Sequence, residues 1–110
     1  MPTFRELMKQ LASVDPTERE SARAALLQMD EDVMDLLVAE FYAGMPEKLA
    51  ISLIEIVGEI GGYEALNLLG DVYYSRDTRP ALKAAARLAL LRNADNLDPQ
   101  QVAKLLTDEA

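Results

Sequence analysis

The chain of 110 residues contains no cysteine and no histidine. Without cysteine there can be no disulfide framework and no thiolate chemistry, which agrees with a reducing compartment. Without histidine the commonest general base and the commonest transition-metal ligand are both missing, and most enzyme mechanisms go with them. Long apolar runs are missing too: nowhere do eighteen apolar residues follow one another, so no bilayer-spanning helix is expected. The opening "MPTFRELMKQLA" carries charges where a signal peptide needs an apolar block, so the expectation is a soluble, cytoplasmic protein. Bases are scarce, with eleven Lys and Arg against nineteen Asp and Glu, and the resulting formal charge of −8 repels a phosphate backbone. Neither nucleic acid nor membrane is an expected partner, and no cofactor is expected. The charge is uneven: residues 30–44 hold five acids and no base, whereas residues 76–94 hold five bases and one acid.

What the chain has instead is one period, repeated. Half of its residues are apolar, enough at this length for a single domain over 1–110 with a core of its own. Phe4, Leu7, Met8 and Leu11 fall at i, i+3, i+4 and i+7, and Ala22, Ala25, Leu26 and Met29 do the same. Further stripes run through Val33, Leu36, Leu37 and Phe41, then Leu49, Leu53, Ile56, Val57 and Ile60. Leu66, Leu69 and Tyr73 follow, then Leu82, Ala85, Ala86, Ala89 and Leu90, and finally Val102, Leu105 and Leu106. The pattern predicts seven helices and no strand. "DPTE" at 15–18 offers Asp15 as N-cap, Pro16 at the first helical position and Glu18 to bond back, and "DPQQ" at 98–101 repeats the device with Gln101. Gly44 before Pro46 reads as a helix end.

Three segments superimpose. "ERESARAALLQMDED" from 18, "LAISLIEIVGEIGGY" from 49 and "LKAAARLALLRNADN" from 82 align Ala22 with Leu53 and Ala86, and Leu26 with Val57 and Leu90, at spacings of 31 and 33 residues. Each is followed by another apolar stripe, so the repeating unit is a helical hairpin at a solenoid period. Gly61 and Gly62 fall where Asp30 and Glu31 lie one unit earlier, at the turn between helices. Gly58 instead sits inside a helix, opposite Leu27 and Leu91, where a missing side chain permits close helix approach. On this reading leucine at 58 overpacks, alanine is neutral or stabilising, and Gly62 needs positive φ.

"VGEIGGYEALNLL" and "DTRPALKAAARLALL" resemble the signature of HEAT-like repeats, especially the short variety named after phycobilisome lyases. The resemblance implies an all-α fold, an α-solenoid of about three HEAT-like helical hairpins plus a C-terminal capping helix. It also implies, for most such families, an interaction scaffold rather than an enzyme, with the second helix of each hairpin lining a concave face. The arginine position of those repeats is Arg19 in the first unit, Ala50 in the second and Lys83 in the third.

Candidate chemistry is thin. "GEIGG" at 58–62 has no preceding strand, no following Lys-Ser or Lys-Thr and not the spacing of a phosphate-binding G-x-G-x-x-G, so it reads as a turn. Asp30, Asp32 and Asp35 could meet a hard cation, but a calcium loop's central glycine and closing glutamate are absent, and acids at a helix start suit the macrodipole. Glu55 and Glu59, four apart, could serve as an acid and base pair, yet by alignment Glu59 lies beside Gln28 and Arg92 and reads as an inter-repeat ion pair. Of the tyrosines, Tyr73 falls on a core stripe, while Tyr42 and Tyr74 sit near helix ends where a ring packs and its hydroxyl stays wet.

The remaining signal is the implied concave face. Arg19, Arg23, Ile51, Ile54, Glu55, Lys83, Arg87 and Leu91 are left over once the core stripes are removed, and Arg79, Lys83 and Arg87 form a cationic row at i, i+4 and i+8. The middle helix, apolar nearly all round, is either buried by its neighbours or floors an apolar groove. The expected function is a small non-catalytic scaffold that binds a protein or peptide partner, an acidic one by the charge of this face. Two alternatives stand beside it: a bilin-lyase-like or other enzyme-associated subunit, and a structural unit that self-associates through its end helices.

Overall fold

The computed structural model describes residues 3–29 and 32–107, all of whose regular structure is helical. Seven α-helices follow in order: α1 Phe4–Leu11, α2 Pro16–Leu27, α3 Asp32–Ala43, α4 Glu47–Ile60, α5 Tyr63–Tyr74, α6 Pro80–Arg92 and α7 Pro99–Thr107, with one 3-10 turn at Ala94–Asn96. Asp30 and Glu31, predicted to form a turn and part of an acidic cluster, lie outside the described residues.

The stop and start chemistry works as local bonding requires. Thr3 accepts from the Glu6 N–H at 3.2 Å, and Asp15 accepts from Thr17 at 2.9 Å, each satisfying an orphan helix donor. At Asp98 the full box forms: its carboxylate accepts from Gln100 at 2.9 Å while its own N–H donates to Gln101 Oε1 at 3.1 Å. The Asp15 box is only half formed, because the Asp15 N–H donates to Ser13 Oγ at 3.1 Å instead of to Glu18. Gly44, Gly61 and Gly62 take φ of +98, +69 and +91, the left-handed region that L side chains avoid.

Helices α2, α4 and α6 lie in one row, and α3 packs beside α5 in a second. Neighbours within a row run parallel. Along α4 and α6, Glu47 meets Arg79, the Gly58 position meets Ala89 and Glu59 meets Arg92, a near-constant offset. Along α3 and α5, Asp35 lies beside Glu64 and Tyr42 hydrogen-bonds Asp71, again with one offset. The core lies between the rows, with Leu26, Leu37, Leu53, Ile54, Ile56, Val57, Leu69 and Leu105 fully enclosed. Each such side chain contributes roughly 1.5–3 kcal/mol by leaving water. Met34, Leu68 and Val72 join the core beside the expected stripes, whereas Leu36 and Leu106, placed on stripes by their spacing, are exposed.

Gly58 is the contact point of α4 and α6. A Cβ there would stand 2.7 Å from Ala89 Cβ and 3.2 Å from Ala89 Cα, so the close approach read from the repeats is present. The expectation that alanine would be neutral or stabilising is corrected: even a methyl group meets a side chain fixed to its backbone, and the helices must part to admit it.

Candidate functional site

The turn between α1 and α2 is bonded into place and opens a groove against α4. Ser13 N–H donates to Gln10 O at 3.0 Å, and Arg19 Nη1 reaches back to Ser13 O at 2.9 Å, holding the guanidinium over the turn. Val14 rides on this turn 94% exposed. The resulting groove, about 530 Å³, has Leu11, Val14, Leu49 and Ile51 as its apolar lining and Arg19 and Lys48 as its charges, both positive. A smaller recess of about 290 Å³ continues from it past Leu11, Arg19 and Ser52, and adds Glu20, Arg23 and Glu55.

Four of the residues singled out by sequence converge here: Arg19, Arg23, Ile51 and Glu55. Arg23 is already engaged, in contact with the Glu59 carboxylate and 3.2 Å from Glu20. Glu59 also takes Arg92 at 3.9 Å, the inter-helix pairing anticipated from the alignment, though its second partner is Arg23 and not Gln28. Ile54 does not belong to any surface. It is fully enclosed, so the middle helix is buried on that side and floors no groove there.

The rest of the expected row is dispersed. Lys83 lies 5.3 Å over the Tyr73 ring, a cation–π contact toward α5. Arg87 Nε donates to Leu105 O of α7 at 2.7 Å, and Leu91 packs against the core. Arg79 is exposed, 3.6 Å from Glu47. The solvent-facing row of α6 is instead Ala81, Ala84, Leu88 and Arg92. The expected row therefore sits one residue, or about 100° of rotation, from the exposed one, and Lys83 and Arg87 face neighbouring helices.

Sequence reading missed Asn93, the polar side chain that is buried among the described residues. Its Nδ2 donates to Gly58 O at 2.9 Å and to Ala89 O at 2.8 Å, satisfying carbonyls at the ends of α4 and α6 that helix geometry leaves without partners. The signal was present in the alignment, where Asn93 stands in the column of Met29 and Ile60 and breaks its apolar character.

The acids elsewhere form no metal cage: among the described residues no group of three or more carboxylates is placed to share an ion. Asp35 and Glu64 form a hydrogen-bonded pair across α3 and α5, which raises the Glu64 pKa above its ordinary 4.5, first through the hydrogen bond and then through Asp35's charge. Tyr42 donates to Asp71 Oδ2 at 3.0 Å, and its pKa is raised by desolvation first and by Asp71 second. Tyr74 stacks edge-on against Tyr73 at 4.9 Å. Among the described residues no helix is long and apolar enough to cross a membrane. In comparisons with known proteins, no family model, no curated protein and no solved structure matches the chain.

Proposed function

We propose that the chain is a small non-catalytic scaffold, a HEAT-like α-solenoid, that holds an acidic, partly apolar peptide segment of a protein partner in the groove between the α1–α2 turn and α4. The groove carries the reading: Val14 and Ile51 offer apolar surface beside Arg19 and Lys48, and no acid lines its larger part. An occupant that buries an apolar side chain there and sets a carboxylate between the two cations matches both features. The solenoid is supported by the two rows of parallel helices and by cross-links between α4 and α6 at nearly the repeat spacing. A lyase-like role would need Glu55 and Glu59 free together, whereas Glu59 is held by Arg23 and Arg92.

Panning the immobilised chain against a random peptide library tests the proposal. Enriched sequences should combine Asp or Glu with a large apolar residue, and Arg19→Glu with Lys48→Glu should abolish their binding while circular dichroism stays helical. Enrichment of basic peptides, or binding indifferent to both substitutions, refutes it.

Self-association is the second reading, favoured by Leu88 and Leu106, which stand 58% and 62% exposed on α6 and α7. Elution volume independent of concentration removes it.

A further inference from the structure

A second surface, remote from the α2–α4 groove, has the opposite chemistry. Among the described residues, four large apolar or aromatic side chains left in water, Leu36, Tyr42, Tyr63 and Tyr74, all belong to α3 and α5. These helices run parallel, tied by the Tyr42–Asp71 hydrogen bond at 3.0 Å and with Asp35 beside Glu64, so their exposed stripes adjoin. Neither helix contains a lysine or arginine. Among the described residues Asp35, Glu64 and Asp71 have no cation within ion-pair distance, so the face combines rings with uncompensated negative charge.

We propose that this α3–α5 face docks a basic amphipathic helix of a protein partner, its cations meeting the Asp35–Glu64 and Asp71 sites and its apolar side chains lying on the tyrosine rings. Asp35 and Tyr42, the α3 members of the two cross-links, are seven residues apart, about 10 Å along the helix axis. Cations seven apart on a partner helix span the same two turns on one side, and so reach both carboxylate sites at once. The protein already uses this mode within itself, since Lys104 of α7 lies 5.5 Å over the Tyr74 ring. Between α5 and α7 a shallow recess of about 270 Å³ runs from Tyr63 to Tyr74, and at Gly70 along it nothing lies within 4 Å of where a Cβ would stand. That is room for an apolar side chain of the partner.

The test is fluorescence anisotropy with a labelled amphipathic peptide of leucine and lysine whose lysines include pairs seven apart. Two controls have the same length: a scrambled sequence of the same composition, and one with glutamate for lysine. The lysine peptide should bind, and the glutamate peptide should not. Asp35→Asn with Asp71→Asn should raise the Kd about tenfold and Tyr63→Ser about threefold. Glu18→Gln, which removes an exposed acid of α2 away from this face, should leave the Kd within about twofold, which separates a local site from diffuse charge. Amide shift changes in the unmodified chain should cluster on α3 and α5. Equal binding of the scrambled peptide would mean diffuse attraction to a −8 chain and overturn the proposal. So would an unchanged Kd in the Asp35 and Asp71 variant, or shift changes centred elsewhere.

Discussion

Replacing Gly58 by alanine adds one methyl group, and the structure places its carbon 2.7 Å from Ala89 Cβ. Ordinary carbon contacts lie near 3.5–4.0 Å, so α4 and α6 must separate by roughly 1 Å along that line. Overpacking of this kind costs about 1–3 kcal/mol, while alanine's better helix propensity returns about 1 kcal/mol. The two terms leave a net loss of up to about 2 kcal/mol, a fall in Tm of up to roughly 10 °C for a domain of this size. Separation also stretches the Asn93 bond to Gly58 O, which adds to the loss. The assay is urea and thermal unfolding of Gly58→Ala, Ala89→Gly and the double variant. Ala89→Gly alone should lose about 1 kcal/mol of helix propensity, but the pair should be less destabilised than the sum of the singles by at least about 1 kcal/mol, because one methyl is then removed from the contact. A Gly58→Ala protein more stable than the parent, or additivity within about 0.3 kcal/mol, refutes the close-contact argument.

Asn93→Ala should cost about 2–3 kcal/mol, since two carbonyls lose their donor and the side chain leaves a gap; unfolding free energy by urea reads it, and Asn93→Leu should not rescue it. Glu64 contributes to stability with a pH dependence whose sign follows from its raised pKa: the shared proton is fully present below the ordinary 4.5 and is lost as pH rises through the raised value. Glu64→Gln keeps a donor toward Asp35 at every pH, so it should raise Tm near pH 7 relative to the parent and lose that advantage as the buffer is brought below about pH 4.5. Arg87→Glu should destabilise by about 1–2 kcal/mol and speed amide exchange in α7, because the guanidinium is a donor to Leu105 O and not a free surface cation.

The helices were legible because each rests on local chemistry: apolar period, Asp-Pro starts, Gly at the ends. The tightness at Gly58 was legible as a gap in a column of leucines, but its degree was not, since a sequence does not show how near Ala89 comes. Burial at Ile54 against exposure at Leu88 was illegible for a related reason. Both positions are apolar and one residue apart in the aligned units, and a helix turns about 100° per residue, so one step separates core from solvent. Leu36 and Leu106 show the same limit from the other side: their spacing fits a stripe, yet each lies at the margin of what neighbouring helices cover. Asn93 needed the alignment read for what breaks its pattern.

The column of Arg23, Ile54 and Arg87 shows how one repeat position is used in three helices. Arg23 leaves α2 to meet Glu59 on α4, Ile54 is sealed inside α4, and Arg87 leaves α6 to meet the α7 backbone. In each helix this position serves contacts within the fold, polar where the helix borders charged or backbone groups and apolar where it is enclosed. Lys83, Arg79 and Arg92 are likewise occupied by Tyr73, Glu47 and Glu59. Four of the five bases in 76–94 thus have a neighbour within the fold. On the surfaces proposed for binding, cations remain at Arg19 and Lys48 in the α1–α2 groove, and carboxylates without ion-pair partners remain on α3 and α5. The two proposed surfaces differ in sign, so on this proposal a partner's charge selects between them: an acidic segment goes to the groove and a basic helix to the α3–α5 face.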